Sequence, residues 1–295
     1  MVKRFYYGGQ AVIDGVMMRG QKNMVIVVRR SDGELAVDTQ PLSTIYTGWM
    51  RKAPLIRGII VLIEALVLGI KSLLYSANIS LEEEGEEISG GLVWVMMGVT
   101  LVCAVALFFI VPLFLTRLLN ISSSLLFNLV DGFIRVAIFI AYLKLITLVP
   151  DIKRVFAYHG AEHKAVNAYE AGVPLEVEAV SKHSTAHVRC GTSFLFAVLI
   201  ISIVVFALIG LHSPWLMVLS RIVLIPIIAA LGYEVIYFGA RHIDNILVRA
   251  VLAPGLWLQA LTTREPEDSQ LEVALSALKG VVEADHVEEA AQTAS

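Results

Sequence analysis

The chain has 295 residues, of which 57% are hydrophobic and only 17% charged, with a mean hydropathy of +0.74. Soluble domains carry about 25% charged residues, so this composition excludes a water-soluble enzyme of this length. The net charge of -3 conceals a basic head and an acidic tail. That gradient suits a head lying against anionic lipid or an acidic partner, and equally an ordinary charged cytoplasmic surface.

Met1-Val2-Lys3-Arg4-Phe5-Tyr6-Tyr7 has basic residues with no apolar core behind them. No signal peptide is therefore expected, and internal spans must direct insertion. Residues 8–45 read as a small β-rich domain. Asn23 to Arg30 is a strand, Ser31-Asp32-Gly33 supplies a turn, Glu34 to Asp38 returns, and Gly8, Gly9 and Gly15 suggest tight turns before it. Residues 55–79 are helical, but Glu64 and Lys71 interrupt the apolar run. A full span needs about 20 predominantly apolar residues, so an interfacial or re-entrant helix is expected, with a true span as the alternative. Leu81 to Glu87 makes a solvated acidic loop.

Residues 92–115 carry no charge and are the clearest transmembrane helix. A second span is expected at about 125–149, where Asp131, Arg135 and Lys144 face protein or the interface. A third covers 193–211. His212-Ser213-Pro214 turns the chain into a fourth at about 216–240, with Arg221 near one end and Glu234 inside. Leu252 to Gln259 suggests a membrane-surface segment. Pro266-Glu267-Asp268 opens an amphipathic helix with Leu271, Leu275 and Leu278 on one face, and the tail after Glu283 is expected to be disordered.

The fold class that results is mainly α: a polytopic membrane protein with about four transmembrane helices, an interfacial or re-entrant helix, and a small N-terminal β-rich cytoplasmic domain. Its expected parts are residues 1–50, 51–80, 92–149, 150–192, 193–240, 241–282 and 283–295. Lys153, Arg154, Lys164, Lys182 and Arg189 lie between the second and third spans. By the positive-inside rule, the N-terminus, residues 150–192 and the C-terminus are then cytoplasmic in a multi-pass cell-membrane protein.

Four of the seven histidines, His159, His163, His183 and His187, fall close together, and Cys190 follows. On a helix, His163 lies about 40° from His159, Glu170 about 20° and Glu162 about 60° on the other side, so all four share a stripe. Two imidazoles one turn apart can grip a divalent ion, zinc above all, and Glu162 can take a proton from metal-bound water. His-x-x-Glu-His is the inverted zincin order, in which the glutamate is the base and a third ligand comes from elsewhere. Glu234 is one candidate, because a carboxylate inside a span needs a partner or an ion. Glu170 is another. If residues 183–190 are helical, His183, His187 and Cys190 share a face and one of them completes the site. Two metals held by two His pairs rank lower, for want of ligands, and Cys190 as a nucleophile lower still. The plainer alternative is a set of hydrogen-bonded interfacial residues, with Glu162 and Lys164 solvated. A disulfide between Cys103 and Cys190 is implausible. Cys103 sits inside an apolar run.

The segment from Gly8 to Gly20 resembles the N-terminal signature of the YqhQ-like family of bacterial membrane proteins. Tyr158 to Lys164 is similar to that family's central motif, Arg189 to Phe194 to another, and Pro254 to Gln259 with Thr262 to Pro266 to a third. The resemblance covers most of residues 8–280 and implies a metal-dependent enzyme. Asp14 stands where the family usually has Glu, and Val188 where it often has Pro; the second change bears on the turn presenting Cys190. Asp14 and Arg19 could contact the metal segment, or the glycines could simply shape the β-domain.

Two functions follow. One is a metal-dependent membrane hydrolase with Glu162 as base and His159, His163, His187, Cys190 and Glu234 as the candidate ligands. The other is a non-enzymatic assembly factor or scaffold with a structural metal. A transporter is weaker, because no paired broken helices are evident. The expected partners are the lipid bilayer and other membrane proteins, and not nucleic acid.

Overall fold

The structure, a computed structural model, describes residues 7–82, 90–210 and 214–293. Most of the expected acidic loop and the His212-Ser213 turn lie outside the described residues. The chain opens with an antiparallel meander of β1 (Gly8–Val12), β2 (Gly15–Arg19), β3 (Asn23–Arg29) and β4 (Leu35–Pro41), paired in that order. The β1–β2 turn falls at Asp14, which takes a φ of 50°. Gly9 and Gly15 are strand residues, not turn residues. A Cβ on Gly15 would lie 2.3 Å from the Val27 carbonyl oxygen, so close strand approach is what requires glycine there.

The short α1 (Thr44–Thr47) leads into α2 (Ile56–Glu82). An apolar rod follows, α3 (Gly90–Val105) and α4 (Val111–Leu118) joined by a π-turn. Next come α5 (Ser124–Ile146) and α6 (Pro150–Ala171). The residue before Pro150 is pushed out of the helical region, and the two axes bend by 101° at this break. The short α7 (Val177–Val180) precedes α8 (Gly191–Ile209), α9 (Pro214–Arg241), α10 (Ile246–Thr262) and α11 (Asp268–Thr293).

Both faces of the sheet are covered. Val16, Met18, Val25 and Val27 pack against Ala161 and Ala165 of α6 and Leu271, Leu278 and Val281 of α11. Met17, Met24, Ile26 and Val28 pack against Ile60, Leu68 and Ile79 of α2. This explains why β3 reads as an unbroken apolar run rather than an alternating one. Leu271, Leu275 and Leu278 are buried, as the predicted amphipathic face requires. The helix continues to Thr293, well past the expected start of a disordered tail. Val281 packs in the core, and Asp285 accepts hydrogen bonds from the Gln21, Lys22 and Asn23 amides.

Among the described residues, four helices are long and apolar enough to cross a bilayer: 56–81, 91–118, 191–209 and 215–241. Three of them coincide with expected spans. The expected second span, 125–149, is instead the first arm of the bent α5–α6 pair, which counts as one further candidate. The 56–81 helix qualifies by its length and apolar composition, and its two interrupting charges are matched within the protein. Glu64 is paired with Arg19 at 2.8 Å and also with Arg51, and Lys71 donates to Gln40. This helix runs along the sheet: Gln10 donates to the Gly69 carbonyl, and the Ile13 amide donates to Ser76. Ile63, Leu66, Val67, Ile70 and Leu73 are exposed on its other side.

Candidate metal centre

The middle of α6 buries Glu162, His163 and Lys164 beside the residues that pack on the sheet, and these polar side chains are organised by hydrogen bonds and ion pairs. His159 Nδ1 lies 2.8 Å from the Thr262 carbonyl oxygen, and His163 Nδ1 lies 2.5 Å from that of Thr185. A carbonyl only accepts, so each Nδ1 carries a proton, and in the neutral ring that tautomer leaves the lone pair on Nε2. The two rings meet edge to face with centroids 4.4 Å apart. Cys190 Sγ lies 3.3 Å from His159 Nε2. His159, His163 and Cys190 each offer one ligand atom, and these atoms lie within 4.8 Å of one another.

Cys190 is the N-cap of α8, and its sulfur accepts from the Thr192 amide at 3.4 Å. The thiolate is the form in which a cysteine ligates a metal. Imidazoles fixed through the far nitrogen and a thiolate at a helix start are the arrangement a metal site uses to orient its ligands.

Glu162 is buried beside this group. Its Oε1 accepts from the Gly9 amide at 2.8 Å, and its Oε2 stands 3.6 Å from His163 Nε2. One carboxylate oxygen is anchored while the other faces the imidazole. The N-terminal signature thus reaches the site through a backbone amide. Asp14 instead pairs with Arg154, and Arg19 with Glu64.

Residues 183–190 are not helical, contrary to the expected His183–His187–Cys190 face. His183 lies outside the three-ligand group, and so does His187. The His187 ring centroid is 5.7 Å from that of His163, and its Nε2 is 3.6 Å from Glu170. Burial pushes the His187 pKa below its usual value, with the Glu162 charge opposing, so the ring is held neutral at pH 7. Glu170, expected on the ligand stripe, is bonded to Arg189. Glu234 also departs from expectation. It accepts from Arg57 Nε at 2.8 Å and from the Leu55 amide at 3.0 Å, so its charge is met by an arginine rather than a metal. Glu162 and Lys164 are buried rather than solvated, and Lys164 donates to the Ser181 carbonyl and pairs with Glu265.

Several residues that build the site carry no metal-ligand signature. Asn167 donates to the Ser184 and Ala186 carbonyls, holding the 183–190 loop against α6. Gln259 is fully buried. Its Oε1 accepts from the His187 amide at 3.0 Å, and its Nε2 donates to the His187 carbonyl at 2.8 Å and to Ser193 at 2.6 Å. A Cβ on Gly160 would lie 2.0 Å from the Arg264 carbonyl oxygen, so only glycine lets the 262–265 segment cross α6 and present the Thr262 carbonyl. The sequence hints of these roles are the resemblances carried by Tyr158 to Lys164, which contains Gly160, and by Pro254 to Gln259 with Thr262 to Pro266.

Residues 53–284 match the family described as "Protein of unknown function (DUF1385)". The chain is 33% identical over 305 residues to "Uncharacterized protein YqhQ" of Bacillus subtilis (strain 168), a match spanning 98% of this chain and 96% of that protein. No solved structure matches it. The chain therefore belongs to the DUF1385 family.

Proposed function

We propose that this protein is a metal-dependent hydrolase embedded in the cell membrane, its metal centre facing the cytoplasm. The observation that carries the reading is the meeting of one ligand atom each from His159, His163 and Cys190, with both Nδ1 protons given to backbone carbonyls. Three ligands with a position left open is the pattern of catalytic zinc sites, whereas structural sites are closed by four. A zinc-like divalent ion held there would supply an acidified water. Glu162 would accept that water's proton at Oε2, its Oε1 being fixed by Gly9. His187 would stay neutral, held by Gln259.

The span-length helices support the membrane placement. The positive charges of residues 150–192 support the cytoplasmic side for the site, the sheet and α11. On this reading α2 lies in the interface. The sheet covers one of its faces, and lipid takes up Ile63, Leu66, Val67, Ile70 and Leu73.

The test is elemental analysis of detergent-purified protein grown with adequate metal. About one equivalent of zinc or a similar ion is expected, falling to about a tenth or less in a His159→Ala/His163→Ala double variant. Glu162→Gln should retain the metal, since the carboxylate is a base and not a ligand. Well-folded protein without metal would overturn the reading. Loss of metal in Glu162→Gln would make that residue a ligand and close the site, favouring an assembly factor with a structural ion.

A further inference from the structure

The second buried polar group lies at the other end of α8. Cys190 caps its start, whereas Phe206 and Ile209 occupy its last turn, about 25 Å away by helical rise. Here Asp131 of α5 meets two arginines. Its Oδ2 accepts from Arg135 at 2.7 Å and from Arg221 of α9 at 2.9 Å. All three side chains are at least 95% buried. Among the described residues, Asp131 is the only acidic partner of either arginine, so the triad holds one positive charge in excess. Its hydrogen bonding is incomplete as well: among the described residues, Arg221 Nη1, Arg135 Nε and Asp131 Oδ1 are buried with no hydrogen-bond partner. Such a charge inside an apolar helix bundle is expensive and calls for an anion.

The triad also has an opening. A cavity of about 10 Å³, room for one water-sized group, is lined by Asn128, Phe206, Ile209, Met217, Ser220 and Arg221. Asp131 does not line it, so an entering group meets the arginine and not the carboxylate. Asn128 uses Nδ2 to donate to the Ser124 carbonyl, which leaves a second hydrogen on that nitrogen. Ser220 spends its hydroxyl proton on Met217. The cavity thus offers donors to a single oxygen. It sits within about two turns of the start of α5, the end of α8 and the start of α9, the depth at which lipid headgroups meet hydrocarbon.

We propose that this cavity receives one phosphate oxygen of an anionic phospholipid, held by Arg221 with Arg135 behind it, at the membrane face opposite the metal centre. The rest of the headgroup stays outside, as the cavity's size demands. The inference rests on the membrane reading of α8 and α9 and is independent of the metal.

The test uses the full chain, delipidated in mild detergent, with the thermal midpoint measured during titration with phosphatidylglycerol, a phosphate-free galactolipid or inorganic phosphate. Phosphatidylglycerol should raise the midpoint, and Arg221→Gln should weaken that response about tenfold, the loss of one charge-assisted hydrogen bond pair. Arg221→Gln leaves Asp131 paired with Arg135, so the variant should fold, and without lipid it should be no less stable than the parent. Arg221→Lys should retain part of the response. An Arg221-dependent response to inorganic phosphate alone would support the site with a free anion as its source. Equal responses to phosphatidylglycerol and galactolipid, or a response unchanged by Arg221→Gln, would overturn the proposal.

Discussion

The two ends of α8 carry buried polar groups built on opposite principles. At the start of the helix, hydrogen bonding is satisfied before any ligand arrives. Each histidine has a carbonyl, Glu162 has an amide, and His187 is held neutral. At the far end the charge count is one short, with two guanidinium groups for one carboxylate, and two donors and one carboxylate oxygen are left without hydrogen bonds. Preorganisation without strain suits a site that must bind an ion in a fixed geometry and act repeatedly. An unsatisfied charge suits a site completed by its surroundings, because a bound anion then contributes directly to stability.

The largest effect separating the two ends should come from Asp131→Asn. It leaves two buried arginines without a counter-charge and should destabilise the protein by about 3–5 kcal/mol. A fall in thermal midpoint that anionic lipid partly restores would be the expected outcome, with metal content per folded molecule unchanged. Cys190→Ser should do the reverse. It removes one of three ligands and should weaken zinc binding by about a hundredfold in a chelator competition, while leaving the lipid response intact. If instead the two variants each disturb both readouts, the ends of α8 are coupled and the comparison fails.

Gly160→Ala sharpens the first end. The added methyl would lie on the Arg264 carbonyl, so the 262–265 segment must move, at about 1–3 kcal/mol. Zinc affinity should fall along with stability, because the Thr262 carbonyl that orients His159 moves too. The smallest expected effect is that of Glu234→Gln. Its partner is Arg57, so metal content should not change at all, and loss of metal in that variant would restore Glu234 as a ligand.

What the sequence disclosed follows from the range over which each signal acts. The His159–Glu162–His163 stripe was legible because helical periodicity is local. Cys190 was legible because its residue type and its place before an apolar run are local too. The carbonyls of Thr185 and Thr262 were not legible, since a backbone oxygen leaves no mark on residue type. The same limit explains the misread charges. Glu64 looked like a bare interruption of an apolar run because Arg19 lies 45 residues away, and Glu234 looked like a spare ligand because Arg57 lies 177 residues away. A lone charge in an apolar run signals that a partner exists, without saying whether it is an ion or a side chain.

The Asp285 carboxylate bears on how the molecule is made. It binds the turn between β2 and β3 across 264 residues of sequence. During synthesis the sheet emerges first and its anchor last, after every span-length helix has left the ribosome. Closure of α11 over the sheet is therefore a late event in biogenesis. The Gly9 amide that steadies Glu162 belongs to that sheet, so the candidate metal centre is completed only after the helices are in place.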